Sequence, residues 1–429
     1  MKKKIIIPKI KEVGSPKRGF KYYTEDIVHT IIFCLCALFI GVVIGAFDAA
    51  FMNVLSLVTG IREQYPFYFI PFLSLAGLLI YFLFDRFSRG KSGVISLDFD
   101  GERDKKAKTK LRLIPMVIFG TWLTHLCGGS VGTENAAIQT GGTLGSLISR
   151  KLSLKNSTKT LTVTGLAAAF GGLFGTPAAA IFFAAEVFSP GYIDVTFLLP
   201  AMISAYTSDW VSRMIGIEEI KFELGLSIDI SVDFVIILCV SAIVFGIAGG
   251  LFAFLLKNIK KLLSAIIPNP YFKIFLTGFL VSSISLYIFN GRYSGSGMNI
   301  IYDSLGGGNV GLCDFILTFI LTILTLSAGY QGGVFIPLFA IGASLGAVIA
   351  MLFNMPVVLF AAFGYAAVFG AATNTLLAPI FLGAEIFGYE YMPYFFVVCI
   401  IAYIFNGNCG IYTNRKNRIV MPHLLVVKK

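Results

Sequence analysis

The feature that most constrains the fold is a series of apolar stretches that recur along almost the whole chain, many of them too short to cross a bilayer straight. A straight transmembrane helix needs about 20 apolar residues, whereas the stretches at 134–148, 160–173 and 177–188 are shorter. Of the 429 residues, 56% are hydrophobic and 13% are charged, a balance that would leave a soluble protein with an apolar surface. The sequence therefore predicts an all-α, multi-pass membrane protein of many short, tilted and broken helices.

A polar stretch at 216–231 divides the chain into two parts. We expect 26–215 and 232–415 to be two transmembrane halves, flanked by a cytoplasmic basic tail at 1–25 and a short tail at 416–429. The net charge of +11 fits the positive-inside rule, and an electropositive funnel for anions is the alternative interpretation. The apolar pattern predicts helical segments at 27–51, 67–84, 112–127, 134–148, 160–173, 177–188, 193–214, 232–256, 271–289, 314–328, 335–353, 356–371, 376–388 and 391–405.

The two halves resemble each other in sequence. Residues 170–188 align without gaps on 369–387, and residues 128–146 align on 329–347 at nearly the same offset. Short, glycine-broken apolar segments in matching places of two halves are typical of transporters built from repeats. The sequence therefore predicts an internal duplication, and the residues by themselves leave open whether the two copies are parallel or inverted.

One carboxylate lies in the first of these glycine-rich breaks. Glu134 ends the run Gly128-Gly-Ser-Val-Gly-Thr, and a helix is predicted to begin at about this residue. A carboxylate at membrane depth is costly, so it usually faces a pathway rather than lipid. A helix start offers unpaired N–H groups and the positive end of a dipole. Such a site can hold either the carboxylate or a dissolved anion, and this competition is a physical basis for a gate.

Composition argues against several other functions. Seven cysteines and three histidines are scattered along the chain, so we predict no metal centre and no cofactor. The basic residues lie at the N-terminus and in short loops, which excludes a nucleic-acid-binding surface. An intramembrane hydrolase would need facing carboxylates or a Ser–His pair, and a cation-coupled secondary transporter would need several carboxylates or carbonyls in its pore. One carboxylate beside helix starts favours a transporter or channel for an inorganic anion over these alternatives. We therefore expect a protein that is not an enzyme.

Four short motifs resemble those of one membrane protein family. They are Lys91-Ser92-Gly93-Val94-Ile95, Gly132-Thr133-Glu134-Asn135, Gly332-Gly333-Val334-Phe335-Ile336-Pro337 and Gly410-Ile411-Tyr412. They resemble the GSGIP, GREGP and GGxFxP motifs and the late tyrosine of the CLC family of chloride channels and proton-coupled anion transporters. The resemblance implies a CLC-type inverted repeat and a homodimer with one pore per subunit. It also implies a bacterial cell membrane location and no CBS domains in the short C-terminal tail.

The resemblance implies a role for each matched residue. Glu134 resembles the gating glutamate, and the main-chain N–H groups of Val334 and Phe335 resemble those that hold the central anion. Tyr412 and Ser92 resemble the two hydroxyl-bearing residues that face this anion. The expected anion-binding set is completed by their neighbours Gly132, Thr133, Asn135 and Ile336. Hydroxyl and N–H groups desolvate an anion without a full countercharge, so the anion can leave again.

Several positions depart from the family motifs. Thr133 and Asn135 stand where the family has arginine and glycine, and Val187 follows Glu186 where proton-coupled members carry a second, internal glutamate. Family channels and the fluoride-exporting branch also lack that glutamate. The motifs therefore leave open whether the ion is chloride or fluoride, and whether the protein is a channel or a transporter. A fluoride/proton antiporter is the alternative to a chloride channel. Glu186 and Glu385 lie at equivalent repeat positions near helix ends, and we expect them to cap or pack helices.

Overall fold

The computed structural model describes residues 20–88, 107–152, 154, 156–188, 195–225 and 231–412. This part of the chain is mostly helical, and its isolated β-bridge joins Gly132 to Gly333. Its α-helices are α1 Phe20–Gln64, α2 Pro66–Phe69, α3 Leu73–Ser88, α4 Ala107–Leu126, α5 Glu134–Ser149, α6 Ser157–Phe174, α7 Pro177–Phe188, α8 Leu198–Ile215, α9 Val232–Ile266, α10 Pro270–Ser283, α11 Met298–Leu305, α12 Asp314–Ala328, α13 Phe335–Phe353, α14 Val357–Thr373, α15 Leu377–Phe387 and α16 Met392–Ile404. Short 3₁₀ turns precede α3, α8 and α16, and a π-helical turn follows α10.

Many of these helices are apolar enough to lie in a membrane. Five segments are long and apolar enough to span a bilayer: Ile27–Gln64, Pro66–Phe87, Val232–Ile266, Pro270–Ile288 and Phe335–Phe353. The shorter apolar helices include α7, α14 and α15. Most of the spanning stretch of α13 is buried inside the protein, so this helix is surrounded by other helices rather than by lipid. The predicted all-α membrane architecture is confirmed.

Several elements differ from the sequence-based segments: α9 runs to Ile266 rather than to 256, and α4 begins at Ala107 rather than at 112. The prediction placed a tail at 1–25 and a helix at 27–51, whereas α1 runs over Phe20–Gln64. Asn53 and Ser56, which interrupt the apolar run, lie within this helix with exposed side chains. Helix α11 was not predicted, because its eight residues are too few to show an apolar period between the glycines that flank it.

The duplication appears as two matching helix pairs in close contact. In the first half, a Cβ added at Gly141 would lie 2.1 Å from the carbonyl oxygen of Gly165, and one at Gly165 would lie 2.0 Å from that of Gly141. In the second half, Gly342 and Gly364 show the same two distances. Only glycine permits this approach of two helix backbones. The α5–α6 pair and the α13–α14 pair are therefore packed in the same way.

Two glutamates join the halves by capping each other's helices. The Glu186 carboxylate of α7 accepts hydrogen bonds from the N–H groups at the start of α15, at 2.9, 2.9 and 3.1 Å from Leu376, Leu377 and Ala378. The Glu385 carboxylate of α15 accepts bonds at 2.8 and 2.9 Å from the N–H groups at the start of α7. Because each half caps the other at equivalent positions, the two copies are related by an approximate two-fold rotation. The expected capping role of both residues is confirmed.

Candidate functional site

The two glycine-rich breaks meet at the centre of the protein. Gly132 and Gly333 exchange main-chain hydrogen bonds, each 2.7 Å from nitrogen to oxygen. The bridge is antiparallel, so equivalent residues of the two copies run in opposite directions there, as an inverted repeat requires. Helix α5 begins at Glu134 and helix α13 at Phe335. Two helix N-termini therefore start beside one point on the pseudo-two-fold axis.

The Glu134 carboxylate occupies the start of α13. Its Oε1 atom accepts a hydrogen bond of 2.9 Å from the N–H of Phe335 and a second, short one from the N–H of Val334. The side chain is only 3% exposed, and its Oε2 atom has no hydrogen-bond partner among the described residues. The orphan N–H groups of a helix start suit an anion. In this structure the anion that satisfies them is the protein's own carboxylate.

The structure brings some predicted site residues together and separates others. Gly132, Val334 and Phe335 contact Glu134 or form the bridge beside it. The Thr133 hydroxyl is buried without a hydrogen-bond partner among the described residues. The Asn135 side chain instead turns along α5, where its amide oxygen accepts a bond of 2.8 Å from Gln139. Ile336 is buried in the first turn of α13.

The phenyl ring of Phe335 is part of an aromatic cluster. Its centroid lies 5.2 Å from the ring of Phe183, 5.0 Å from Phe369 and 5.9 Å from Phe170. Tyr412 joins this cluster through Phe183, at 6.2 Å between ring centroids. Tyr412 is thus placed one ring away from Phe335, so the cluster connects the C-terminal end of the described chain to the start of α13. Predicted site residue Ser92 lies outside the described residues.

Two residues that the sequence did not single out support the glycine break. The Nη1 atom of Arg62 donates a bond of 3.1 Å to the main-chain oxygen of His125, and the His125 ring nitrogen Nε2 lies 3.3 Å from the main-chain oxygen of Gly132. Both side chains are buried. The sequence alone did not identify Arg62 because this residue lies beyond the predicted end of the first segment at 51. It is buried in the protein only because α1 continues to Gln64.

The charge at this site comes from helix ends rather than from cationic side chains. The hydrogen bonds to the Glu134 carboxylate come from main-chain N–H groups. The described residues contain no cluster of histidine, cysteine, aspartate or glutamate that could hold a metal ion. Partial positive charges of this kind stabilise an anion without the strong attraction of a lysine or arginine. The arrangement can therefore bind a small anion and release it.

Comparisons with known proteins agree with this geometry. Residues 76–407 match the family described as "Voltage gated chloride channel". A "Chloride/fluoride channel protein" of Pseudomonas syringae pv. tomato (strain ATCC BAA-871 / DC3000) is 30% identical over 380 residues, which are 87% of this chain and 84% of that protein. The solved structure described as a "CLC-type fluoride/proton antiporter" is 39% identical, with a TM-score of 0.84 over 93% of this chain and 99% of that chain.

A more distant structure shares the fold. The slow cyanobacterial Cl⁻/H⁺ antiporter is 20% identical, with a TM-score of 0.77 over 89% of this chain and 96% of that chain. The family match covers most of the sequence, and the inverted repeat is the one that the family resemblance implied. The chain therefore belongs to the CLC family of membrane anion channels and transporters.

Proposed function

We propose that the protein is a fluoride-exporting CLC transporter that exchanges fluoride for protons, with Glu134 as its gate. The observation that carries the gate is the Glu134 carboxylate on the N–H groups of Val334 and Phe335. The choice of fluoride as the transported ion is supported by the similarity to a fluoride/proton antiporter and to a chloride/fluoride channel protein.

The gate works by competition for one set of donors. An ionised Glu134 holds the N–H groups of Val334 and Phe335 and excludes a second anion from them. A proton on the carboxyl group removes its charge and weakens these charge-assisted hydrogen bonds. Fluoride can then replace the side chain at the start of α13. Because one proton releases one site, the same residue links proton movement to anion movement.

The position after Glu186 decides how the proton travels. The side chain there is Val187, which cannot carry a proton, and the Glu186 carboxylate is engaged at the start of α15. A proton route through a second glutamate at this place is therefore excluded from the proposal. In this proposal Glu134 alone carries the proton, and its side chain moves between positions that are open to one or the other side of the membrane.

The first experiment replaces Glu134 with glutamine. Glu134→Gln removes the charge and keeps the size, so we expect fluoride efflux from proteoliposomes to persist, to lose its dependence on pH, and to lose its coupling to protons. Glu223→Gln is the control, because this carboxylate is exposed on the surface. A folded Glu134→Gln protein with the wild-type pH response would remove Glu134 from the gate.

The second experiment separates the transport modes. An outward fluoride gradient should drive protons uphill into proteoliposomes, whereas a chloride gradient should not. The second candidate function is a chloride or fluoride channel, which Val187 favours because it leaves no titratable side chain at that position. Anion flux without proton movement for either halide would establish the channel. Proton movement driven strongly by chloride, and surviving Glu186→Gln, would contradict both candidates.

A further inference from the structure

The loop that follows α16, residues 405–412, is attached to the end of α14 by a pair of asparagines. The Nδ2 atom of Asn406 donates hydrogen bonds of 3.2 Å to the main-chain oxygen of Ala371 and of 2.8 Å to the Oδ1 atom of Asn374. The Oδ1 atom of Asn406 accepts a bond of 2.8 Å from the N–H of Asn408. Asn406 is only 2% exposed. Both ends of this buried amide are therefore used, one on α14 and one within the loop, which we call the Tyr412 loop.

The Tyr412 loop also supplies partners that the end of α14 requires. The last carbonyl groups of an α-helix have no partner within the helix, and the last turn of α14 is buried. The oxygen of Ala371 receives the Asn406 amide, and the oxygen of Ala372 accepts a bond of 2.9 Å from the N–H of Ile411. A buried carbonyl without a partner is costly. The loop is therefore fixed to α14 at two points.

The repeat shows what the side chain of Asn374 adds. Asn374 ends α14 with a left-handed backbone, at a φ angle of 57°. At the aligned position of the first copy, Gly175 ends α6 in the same conformation, at a φ angle of 66°. Glycine meets this conformational requirement without a steric cost. The second copy therefore gains nothing in backbone conformation from asparagine, and what it gains is the amide that holds Asn406.

The attachment lies between Tyr412 and the ring cluster at the start of α13. The last turns of α14 carry Phe369, whose ring centroid lies 5.0 Å from that of Phe335 and 6.0 Å from that of Phe183. The ring of Tyr412 packs on Phe183 from the other side, at 6.2 Å. Ile411, which is bonded to α14, directly precedes Tyr412 in the chain. One helix end therefore places both Tyr412 and a ring that contacts Phe335.

We propose that Asn374 and Asn406 are positioning residues for the Tyr412 hydroxyl. Their amide pair holds the Tyr412 loop on α14, sets the distance between this hydroxyl and the N–H groups at the start of α13, and so sets the affinity for the central anion. Neither asparagine binds the anion itself. The proposal rests on anion transport by this chain and on the predicted role of Tyr412, and it does not require Glu134 to be the gate.

The experiment measures the Kd for fluoride and for chloride by isothermal titration calorimetry on detergent-solubilised protein. Asn374→Gly removes only the amide, because glycine accepts the left-handed backbone and occupies the aligned position of the first copy. We expect this variant to raise the Kd about fivefold, since a displaced hydroxyl loses most of a hydrogen bond to the anion.

The chain offers a matched control for this variant. Asn354 ends α13 with the same left-handed backbone, at a φ angle of 53°, but its side chain is exposed. Asn354→Gly introduces the same gain of freedom in the unfolded chain at a helix end that does not hold the Tyr412 loop. We expect its Kd to equal that of wild type.

The Tyr412→Phe background separates positioning from a structural role. If the asparagines act through the hydroxyl, Asn374→Gly should raise the Kd in wild type and leave it unchanged in Tyr412→Phe, because coupled residues have non-additive effects. An equal rise in both backgrounds, or a lower thermal unfolding temperature with an unchanged Kd, would overturn the proposal. So would a wild-type Kd in Tyr412→Phe itself.

A second variant tests the same contact from the loop. Asn406→Leu keeps the approximate size of the side chain and removes the bonds to Ala371, Asn374 and Asn408. We expect its Kd to rise at least as much as that of Asn374→Gly, again only while the Tyr412 hydroxyl is present. If Asn374→Gly does not fold, the same two backgrounds compared with Asn406→Leu decide the question.

The outcome is distinct from a failure of the proposed gate. If Glu134→Gln keeps the wild-type pH response while Asn374→Gly weakens binding through Tyr412, the gate is wrong and the positioning role stands. If Asn374→Gly binds anions as wild type does, in a protein whose Glu134→Gln variant loses its pH response, the positioning role is wrong and the gate stands.

Discussion

At the scale of single residues, the proposed gate depends on the absence of a Cβ atom at Gly333. A Cβ at this position would lie 1.9 Å from the carboxyl carbon of Glu134, so any larger residue occupies the place of the carboxylate. The φ angle of Gly333 lies outside the left-handed region, which means that alanine can adopt the same backbone. The glycine is therefore required by the position of the Glu134 carboxylate rather than by the chain's own conformation.

The variant Gly333→Ala tests the gate without changing any charge. We expect the methyl group to displace the Glu134 carboxylate from α13, so that fluoride flux rises several-fold and depends less on pH. The control is Gly60→Ala, because no atom lies within 4 Å of the added Cβ there. Flux and pH response equal to those of wild type in folded Gly333→Ala would mean that the carboxylate does not limit the pathway.

The hydroxyl of Tyr412 is tested by removing it alone. Tyr412→Phe keeps the ring contact with Phe183 and deletes only the hydroxyl. If this group binds the central anion, its loss should weaken fluoride or chloride binding by about 1–2 kcal/mol, the size of a hydrogen bond to a charged group. Isothermal titration calorimetry on detergent-solubilised protein measures this, and an unchanged Kd would exclude Tyr412 from the site.

At the scale of helices, the structure is held at the axis by paired ends. Helix α7 supplies a carboxylate to the start of α15, and α15 supplies one to the start of α7. Each carboxylate satisfies N–H groups that a helix start cannot pair internally, and its charge favours the positive end of the dipole. The exchange explains why both copies of the repeat keep a glutamate at this position.

Loss of either cap should destabilise the protein without affecting the ion pathway. Glu186→Ala leaves three N–H groups at the start of α15 without their acceptor, and a buried unpaired donor costs about 1–3 kcal/mol. We expect a lower thermal unfolding temperature, a similar loss in Glu385→Ala, and unchanged fluoride-driven proton coupling in the folded fraction. Coupling that disappears in Glu186→Gln at full stability would show that this carboxylate carries protons.

The contact between helix backbones gives a second test at this scale. A Cβ at Gly342 would lie 2.1 Å from the carbonyl oxygen of Gly364, so Gly342→Ala must push α13 away from α14. Overpacking of a tight core costs about 1–3 kcal/mol, and α13 carries the N–H groups of the site at its start. We expect lower thermal stability and weaker anion binding together, whereas Gly60→Ala should change neither.

At the scale of the whole molecule, two copies of one helical unit enclose a site that neither copy can form alone. The first copy contributes the carboxylate on α5, and the second contributes the N–H groups at the start of α13. The inverted relation between the copies brings both helix starts to the axis. Under the proposed function, the Glu134 carboxylate at these helix starts closes the ion pathway.

The homodimer implied by the family resemblance stays a prediction. Light scattering of the purified protein in detergent should give a protein mass of twice the 46.6 kDa chain. Each subunit has its own Glu134 site, so cross-linked dimers that combine one wild-type and one Glu134→Gln subunit should show flux midway between the two parents. A monomeric mass that persists in lipid nanodiscs would contradict the prediction.

The sequence by itself determined the membrane class, the duplication and the identity of the gate candidate. Apolar segments must be buried or face lipid wherever they fold, and a carboxylate within a glycine-rich break is a local pattern. The segments at 177–188, 314–328 and 335–353 coincide with α7, α12 and α13 for the same reason. The expected capping by Glu186 and Glu385 needed only their equivalent places in the repeat.

Only the tertiary structure decided which polar groups from distant parts of the chain form hydrogen bonds with each other. The hydrogen bonds of Glu134 cross 200 and 201 residues of sequence, and no local pattern encodes such a contact. The inverted sense of the repeat was decided by the antiparallel bridge between Gly132 and Gly333. The burial of Arg62 depends on the continuation of α1 and on the loop at Gly295 that packs against it. Sequence periodicity records which side of a helix is apolar, whereas the partner of each polar atom is set by how distant helices pack.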